Sequence, residues 1–343
     1  MILGSMKAKA HKRNTQQHFV TAAYLVGFTP ERNRESKLWV YERNSDKTFR
    51  LIPDEAAKRR NYYSIAQKDG GFNDVVDTML TALEGQAMPA LKKLLVGDCK
   101  LSTFERALLG HLIAFQEFRT PWARASFQKM ELHLAEYMMR MATQAPGYLE
   151  KTLDELKEKG EIDGSLTAAQ MRNALGNKKV KLVARPHAGI DTMVSTAESV
   201  GHFYTQMHWT VFRATEGKFL TSDAPVVRRD PGLRGGFWGG GLMSSTAQVW
   251  FTLSQKACLL ITHDDGRKRK FFELLEHGKI EEAKAVRAEL PESSGRDMNA
   301  EGVQAVNQQT IINADRFVFS PFESDEISRL FKGECQNYRI VVG

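Results

Sequence analysis

Residues 201–221, GHFYTQMHWTVFRATEGKFLT, decide the fold class, because the hydrophobic pattern changes within them from helical to extended. Up to Met207 the apolar positions continue a helical region, and from Trp209 to Ala214 they form a run rich in β-branched and aromatic residues. A second run, Phe219–Thr221, follows after the turn-forming residues Thr-Glu-Gly-Lys. The stretch therefore predicts a helical part before it and a sheet after it.

The helical part is expected to span about residues 73–207. Apolar residues from Val75 to Leu83 recur at the spacing of one buried helical stripe, and Pro89 is expected to kink this helix or to begin the next one. Ser102-Thr-Phe-Glu105 is a capping box that begins a strongly apolar helix, and Thr167-Ala-Ala-Gln170 is a second capping box. These signals predict a bundle of helices.

The remaining elements precede and follow this helical part in the sequence. Near the N-terminus, Leu38-Trp-Val-Tyr41 and Thr48–Ile52 predict a β-hairpin. The part from about residue 208 to residue 343 is predicted to contain further strands near 249–253, 258–261, 316–320 and 338–342, and helices near 266–288, 299–313 and 324–331. The expected fold class is α+β, with an N-terminal β-hairpin, a central helical bundle and a C-terminal antiparallel sheet with helices.

Composition predicts a soluble protein of a reducing compartment. Hydrophobic residues make up 42% of the chain and charged residues 26%, and no stretch approaches the roughly 18 apolar residues of a membrane span. The three cysteines lie far apart and form no C-x-x-C pair, which favours the cytoplasm over a disulfide framework or a thiolate zinc site. Residues 1–5 resemble a remnant of cloning, and residues 14–343 are expected to form a single domain. The oligomeric state is left open.

The positive charge is concentrated at the N-terminus. Residues 1–60 contain 13 Lys and Arg against 6 Asp and Glu, whereas the rest of the chain contains 35 of each. The basic arm, residues 1–13, carries four of these cations: Lys7, Lys9, Lys12 and Arg13. Such an arm binds nucleic-acid phosphates by releasing counterions, or it is simply a solvated basic segment.

Short motifs along the chain resemble one known family. Gln17-His18, Tyr24-Leu25 and Leu38-Trp-Val-Tyr41 resemble the opening of the family called domain of unknown function 4238 (DUF4238), although Thr21 stands where that family usually has proline. Further matching segments are Asn61-Tyr-Tyr63, Leu83-Glu84, Arg119-Thr-Pro121, Phe219–Val226, Phe251-Thr-Leu-Ser254, Val306-Asn307 and Ala314–Ser320. The resemblance spans nearly the whole chain, and it implies the position of a site without implying a reaction.

The matching segments contain five polar residues that are candidates for one catalytic site: His18, Glu84, Arg119, Asp223 and Asn307. Of these, His18, Glu84 and Asp223 have the ligand chemistry for a divalent metal such as magnesium, manganese or zinc, and Arg119 is suited to hold a phosphate or a carboxylate with two hydrogen bonds. The alternative is structural, with Glu84 and Arg119 forming a satisfied buried pair and Asp223 capping a turn.

Two other patterns offer chemistry, each with a plainer interpretation. The spacing from Arg106 to His111 resembles the catalytic motif of helical metal-free ribonucleases, but residues five apart on a regular helix do not face each other. The acidic run after His263 is typical of a turn that begins a helix. The expected function is a phosphate-directed hydrolase such as a metal-dependent nuclease, and the alternative is a non-enzymatic module that binds nucleic acid or protein through the basic N-terminal region.

Overall fold

The structure is a computed structural model that describes residues 15–45, 47–67, 70–177, 188–232, 241–263, 265–288 and 293–332. The basic arm and the predicted strand at 338–342 lie outside the described residues. The chain forms two compact units, a larger one of residues 1–122 with 194–343 and a smaller one of residues 123–193. That residues 14–343 constitute one domain stays a prediction.

The described helices and strands confirm the α+β class. The strands are β1 (Gln16–His18), β2 (Leu38–Glu42), β3 (Thr48–Leu51), β4 (Lys58–Arg60), β5 (Ile65–Ala66), β6 (Phe72–Asn73), β7 (His208–Ala214), β8 (Thr221–Ser222), β9 (Val226–Arg229), β10 (Gln248–Ser254), β11 (Ala257–Thr262), β12 (Ser293–Met298) and β13 (Phe317–Ser320). The α-helices are α1 (Ala22–Leu25), α2 (Val75–Val96), α3 (Thr103–Phe118), α4 (Pro121–Gln144), α5 (Tyr148–Glu158), α6 (Ala168–Gly176), α7 (Ala188–Gln206), α8 (Asp265–Glu276), α9 (Ile280–Ala288), α10 (Ala300–Asn313) and α11 (Asp325–Lys332). Short 3-10 helices occupy Val26–Phe28 and Pro53–Glu55.

The larger sheet has the strand order β12-β7-β11-β10-β9. A row of buried apolar residues crosses four of its strands, since Val211 pairs with Leu259, Leu259 with Phe251, and Phe251 with Val226. These pairs bury one face of the sheet, which explains the apolar runs in the sequence. The sheet differs from the expected antiparallel one in its edge strand β12, which pairs with β7 in the parallel sense.

The N-terminal hairpin joins C-terminal strands in a second sheet, of order β3-β2-β13-β8. Leu38 and Val40 are buried on one face of β2, and Tyr41 is buried on the other face. Tyr41 belongs to an apolar cluster with Leu220, Val318, Phe331 and their neighbours, which packs this sheet against α10 and α11. A strand that is apolar on both faces is suited to the centre of a sheet, and β2 indeed lies between β3 and β13.

Both predicted capping boxes are present, at Ser102 with Glu105 and at Thr167 with Gln170. Helix α2 continues through Pro89, so this proline does not begin a new helix. Helices α3 and α7 approach closely at Gly110 of α3 and Gly201 of α7. A Cβ atom on Gly201 would lie 2.8 Å from the Cα atom of His111.

The smaller unit contains most of α4, all of α5 and α6, and the beginning of α7. Its buried side chains include Leu149 and Leu153 of α5. An ion pair between Arg172 and Glu150, 2.7 Å apart, joins α6 to α5.

No helix in the described part of the chain is both long enough and apolar enough to cross a membrane.

Candidate functional site

The structure distributes the five predicted site residues over three places. His18, Glu84 and Arg119 line one half-open pocket of about 240 Å³. Asp223 lines a different cavity, of about 330 Å³, and Asn307 borders a third, of about 180 Å³. The set expected from the sequence therefore does not converge as a whole, and the candidate site is the pocket that holds three of its members.

We call this pocket the His18 pocket. The residues that line it are His18, Thr21, Ala22, Ala23, Arg34, Asp54, Tyr63, Asp77, Leu80, Thr81, Glu84 and Arg119. Strand β1 and helix α1 supply one wall, and α2 supplies the other. Asp77, Thr81 and Glu84 are spaced by four and then three residues, which places them on one face of α2. Sequence reasoning missed Asp77, although this polar face among the apolar positions of α2 was the signal that pointed to it.

His18 has unused hydrogen-bonding capacity. It ends β1 opposite Lys58 of β4, and its backbone carbonyl accepts a hydrogen bond from the Tyr63 hydroxyl at 3.2 Å. Its Nε2 atom is buried and has no hydrogen-bond partner among the described residues. Burial lowers the pKa of His18 below 6.5, Lys58 lowers it further, and the nearby Asp54 and Glu84 oppose the shift. The imidazole is therefore neutral near pH 7.

Arg119 and Glu84 form an ion pair at the closed end of the pocket. Arg119 is 1% exposed, and its Nη1 lies 2.5 Å from Oε1 of Glu84. Its Nη2 donates to Oε1 of Gln116 at 2.5 Å, whereas its Nε has no partner in the described part of the chain. Burial is the largest single influence and lowers the pKa of Arg119, but the charge and hydrogen bond of Glu84 together with Tyr63 and Tyr62 outweigh it, so the net shift is upward. The guanidinium is therefore held rigidly and stays charged.

Gln17 joins β1 to the segment Tyr63–Ser64. Its Oε1 accepts the backbone N–H of Tyr63 at 2.6 Å, and its Nε2 donates to the Ser64 hydroxyl at 3.2 Å. Asp77 lines the same pocket from α2. Burial raises the pKa of Asp77, and the neighbouring charge of Asp74 raises it further. The pocket thus contains a neutral imidazole and a carboxyl group that is easier to protonate than usual.

Asp223 and Asn307 hold the backbone together. Both carboxylate oxygens of Asp223 accept backbone N–H groups, from Asp315 at 2.8 Å, Arg316 at 2.7 Å and Phe317 at 3.0 Å. Asn307 accepts the N–H of Leu220 at 2.9 Å and donates to the Lys218 carbonyl at 2.9 Å. The structure therefore does not bring Asp223 to His18 and Glu84. Within the described ranges, no group of three or more His, Cys, Asp or Glu side chains is placed to hold a metal ion.

Arg106 and His111 do not form the ribonuclease-like pair. The buried Arg106 donates to the carbonyls of Thr205 and Met207, at 2.9 and 2.5 Å, and its guanidinium lies 4.4 Å from the Trp209 ring centre. His111 bonds through Nδ1 to the Ala107 carbonyl of its own helix. Arg106 therefore caps the end of α7, where a cation is favoured.

The fold and the pocket together define an α+β protein with a small polar pocket beside the two-stranded sheet that β1 and β4 form. The chain belongs to the family of proteins of unknown function DUF4238, whose model matches residues 16–323. No curated protein and no solved structure matches the chain.

Proposed function

We propose that this protein is a phosphate-directed hydrolase that cleaves phosphodiesters, with His18 as its general base. The observation that supports this proposal best is the unpartnered Nε2 of His18, which lies one strand away from the consecutive cations Lys58, Arg59 and Arg60. A base next to a cluster of cations is suited to phosphodiester hydrolysis, because the base can accept a proton from water and the cations can bind the phosphate.

The protonation state of His18 suits this role. A general base must be unprotonated near pH 7, and the lowered pKa of His18 keeps its imidazole neutral. Its unpartnered Nε2 is an acceptor for the proton of a water molecule, while the unpartnered Nε–H of Arg119 is a donor for an oxygen of the substrate. A water molecule supplies the donor that Nε2 of His18 lacks, and a phosphate oxygen supplies the acceptor that Nε–H of Arg119 lacks.

Strand β4 supplies the positive charge. Arg59 and Arg60 are exposed, and Arg59 makes no ion pair with any described residue. The Nζ atom of Lys58 donates a hydrogen bond to the Asp54 carbonyl at 2.8 Å, and this bond keeps the Lys58 charge next to His18. Arg119 is already paired with Glu84, so we assign phosphate capture to β4 and not to Arg119 alone.

The proposed reaction is a hydrolysis in which every proton has a place. Water transfers a proton to Nε2 of His18 while its oxygen bonds to phosphorus, and the ester P–O bond breaks. The leaving oxygen then takes a proton from Asp77; the proposal assigns the protonated form to Asp77, and burial shifts its pKa in that direction. A proton passes from His18 to Asp77 through solvent to restore both groups.

The test is hydrolysis of a chromogenic phosphodiester and of single-stranded and duplex oligonucleotides. Each is assayed with magnesium, manganese or zinc and with a chelator, because a divalent metal was the expectation from the sequence. Wild-type protein should cleave at least one substrate, and His18→Gln should lower kcat by about 100-fold or more. The matched control is His277→Gln, which changes an exposed histidine in the turn that follows α8. Cleavage that survives His18→Gln, or no cleavage under any condition, contradicts the proposal.

The second candidate is a binding module that uses the basic N-terminal region. The exposed Arg59 and Arg60 favour it, and Lys7, Lys9, Lys12 and Arg13 of the basic arm lie outside the described residues. Each phosphate contact should add about 0.9 to the log–log salt slope on duplex DNA. Salt-sensitive binding that is lost on deletion of residues 1–13, without cleavage by the wild-type protein, would favour this module over the hydrolase.

A further inference from the structure

A second cavity borders strand β4, because Lys58 and Arg59 of that strand are among the residues that line it. It has a volume of about 330 Å³, within the about 300–1,000 Å³ of small-molecule sites. We call it the Phe49 cavity and define it by Phe19, Phe49, Phe317 and Phe319 together with Lys58 and Arg59, all of which line it. Its aromatic walls and cationic rim belong to the larger unit.

The aromatic wall follows from the register of the hairpin sheet. Phe49 of β3 pairs with Val40 of β2, and Val40 pairs with Phe319 of β13, so the three side chains share one face. Phe317 lies two residues before Phe319 on the same face, and its ring stacks on that of Phe319 with centres 6.5 Å apart. The opposite face of this sheet is covered by α10 and α11, which leaves the phenylalanine face to the cavity.

Phe49 offers an unused ring. It is half-buried on the edge strand β3, and its ring has no aromatic or cationic partner among the described residues. Phe317, in contrast, is covered by the Arg316 guanidinium, 4.9 Å from its ring centre. A free ring that borders a cavity is suited to stack a planar ligand.

The polar groups around the cavity are of both signs. The Arg59 guanidinium lies 5.8 Å from the Phe19 ring centre without an ion-pair partner among the described residues. Glu55 and Asp315 are carboxylates on the same lining, whereas Asp223 has both oxygens occupied by backbone N–H groups. A cation matches a phosphate, and a carboxylate matches the amino edge of a base.

We propose that the Phe49 cavity binds the base of a nucleotide, stacked on Phe49 with its phosphate at Arg59. This inference rests partly on the proposed function, because Lys58 lines the cavity and also lies opposite His18. A base in the Phe49 cavity therefore places the neighbouring phosphate of a single strand beside the His18 pocket. Stacking and backbone charge together are how proteins hold single-stranded nucleic acids.

The experiment measures binding of adenosine monophosphate, adenosine, ribose phosphate and a short single-stranded oligonucleotide by titration calorimetry. Phe49→Leu keeps an apolar side chain but removes the ring, and it should weaken adenosine and adenosine monophosphate alike, by about 5- to 150-fold. Arg59→Gln should weaken adenosine monophosphate by up to about 5-fold and leave adenosine unchanged. Ribose phosphate should bind far more weakly than adenosine monophosphate. The oligonucleotide arm decides whether the base comes from a polymer or from a free nucleotide.

Two matched controls lie outside the cavity. Phe72→Leu changes an exposed phenylalanine on β6, and Arg50→Gln changes an arginine on the opposite face of β3, over Trp39. The proposal is overturned if no nucleotide binds, or if Phe49→Leu and Phe72→Leu have equal effects. Failure of hydrolysis is a separate result: Phe49-dependent binding without cleavage would refute the hydrolase alone, and His18-dependent cleavage without Phe49-dependent binding would refute the base site alone.

Discussion

The ion pair between Arg119 and Glu84 allows the structural contribution of the His18 pocket to be measured. Arg119 is 1% exposed, and Glu84 is 24% exposed at its side chain. Glu84→Leu leaves a buried guanidinium without a counterion, which should cost about 3–5 kcal/mol of the free energy of unfolding. Glu84→Gln keeps an acceptor for Nη1, so its cost should be smaller, about 1–2 kcal/mol.

Replacing Arg119 is expected to cost less than replacing Glu84. The carboxylate of Glu84, which then has no ion-pair partner, is accessible to water. Arg119→Met should cost about 2–3 kcal/mol, which includes the hydrogen bond to Gln116. In the double variant Glu84→Leu/Arg119→Met neither charge remains, and apolar side chains fill the site. Its cost should be at least about 2 kcal/mol less than the sum of the two single costs.

Urea unfolding followed by tryptophan fluorescence measures the wild type and all four variants, and equal m values confirm that the same transition is compared. Additive costs in the double variant, or a cost below about 1 kcal/mol for Glu84→Leu, would refute the buried pair as a coupled unit.

Three further predictions test the scaffold and the base. Gly201→Ala should lower the free energy of unfolding by about 1–3 kcal/mol, because the new Cβ atom meets the backbone of His111. Gly85→Ala has open space around the new Cβ atom and should raise the free energy of unfolding by about 0.5–1 kcal/mol. Urea midpoints that move in the same direction for the two variants would contradict this. Asp223→Ala should cost about 3–5 kcal/mol because three backbone N–H groups lose their acceptor, and a thermal shift that implies less than about 1 kcal/mol would exclude the capping role. The folded state disfavours protonation of His18, so the stability that its neutral form provides above pH 6.5 is lost as the pH falls through the lowered pKa of the folded state. Over this range the urea midpoint of the wild type should fall more than that of His18→Gln. Parallel curves would show that His18 is not desolvated.

The sequence predicts those elements whose local pattern agrees with their final environment. Leu38-Trp-Val-Tyr41 is apolar on both faces and lies at the centre of a sheet, and the capping box at Ser102 begins α3 as expected. Strand β12, in contrast, has the sequence Ser-Ser-Gly-Arg-Asp-Met, which has no strand pattern. It is extended because the edge of β7 offers it backbone partners, and such tertiary pairing overrides local propensity.

The candidate site was predictable in part for the same reason. Glu84 and Arg119 pair across α2 and α3, and the sequence indicated a pair of this kind as the structural alternative. In the sequence Lys58–Arg60 is only a run of basic residues, because nothing local indicates that it pairs with the strand that ends at His18. The long-range contact between those two strands determines where the charge lies, and single-sequence patterns do not contain it.

Unused hydrogen-bonding capacity distinguishes His18 and Arg119 from Asp223 and Asn307 among the candidate positions that match the family. Every polar side-chain atom of Asp223 and Asn307 has a backbone partner, so a ligand would have to break the fold to reach them. His18 and Arg119 each retain one buried nitrogen without a partner in the described part of the chain. Leaving a buried polar group unsatisfied costs about 1–3 kcal/mol, and the proposal accounts for this cost by the binding of a ligand. A ligand that brings a donor to His18 and an acceptor to Arg119 recovers both.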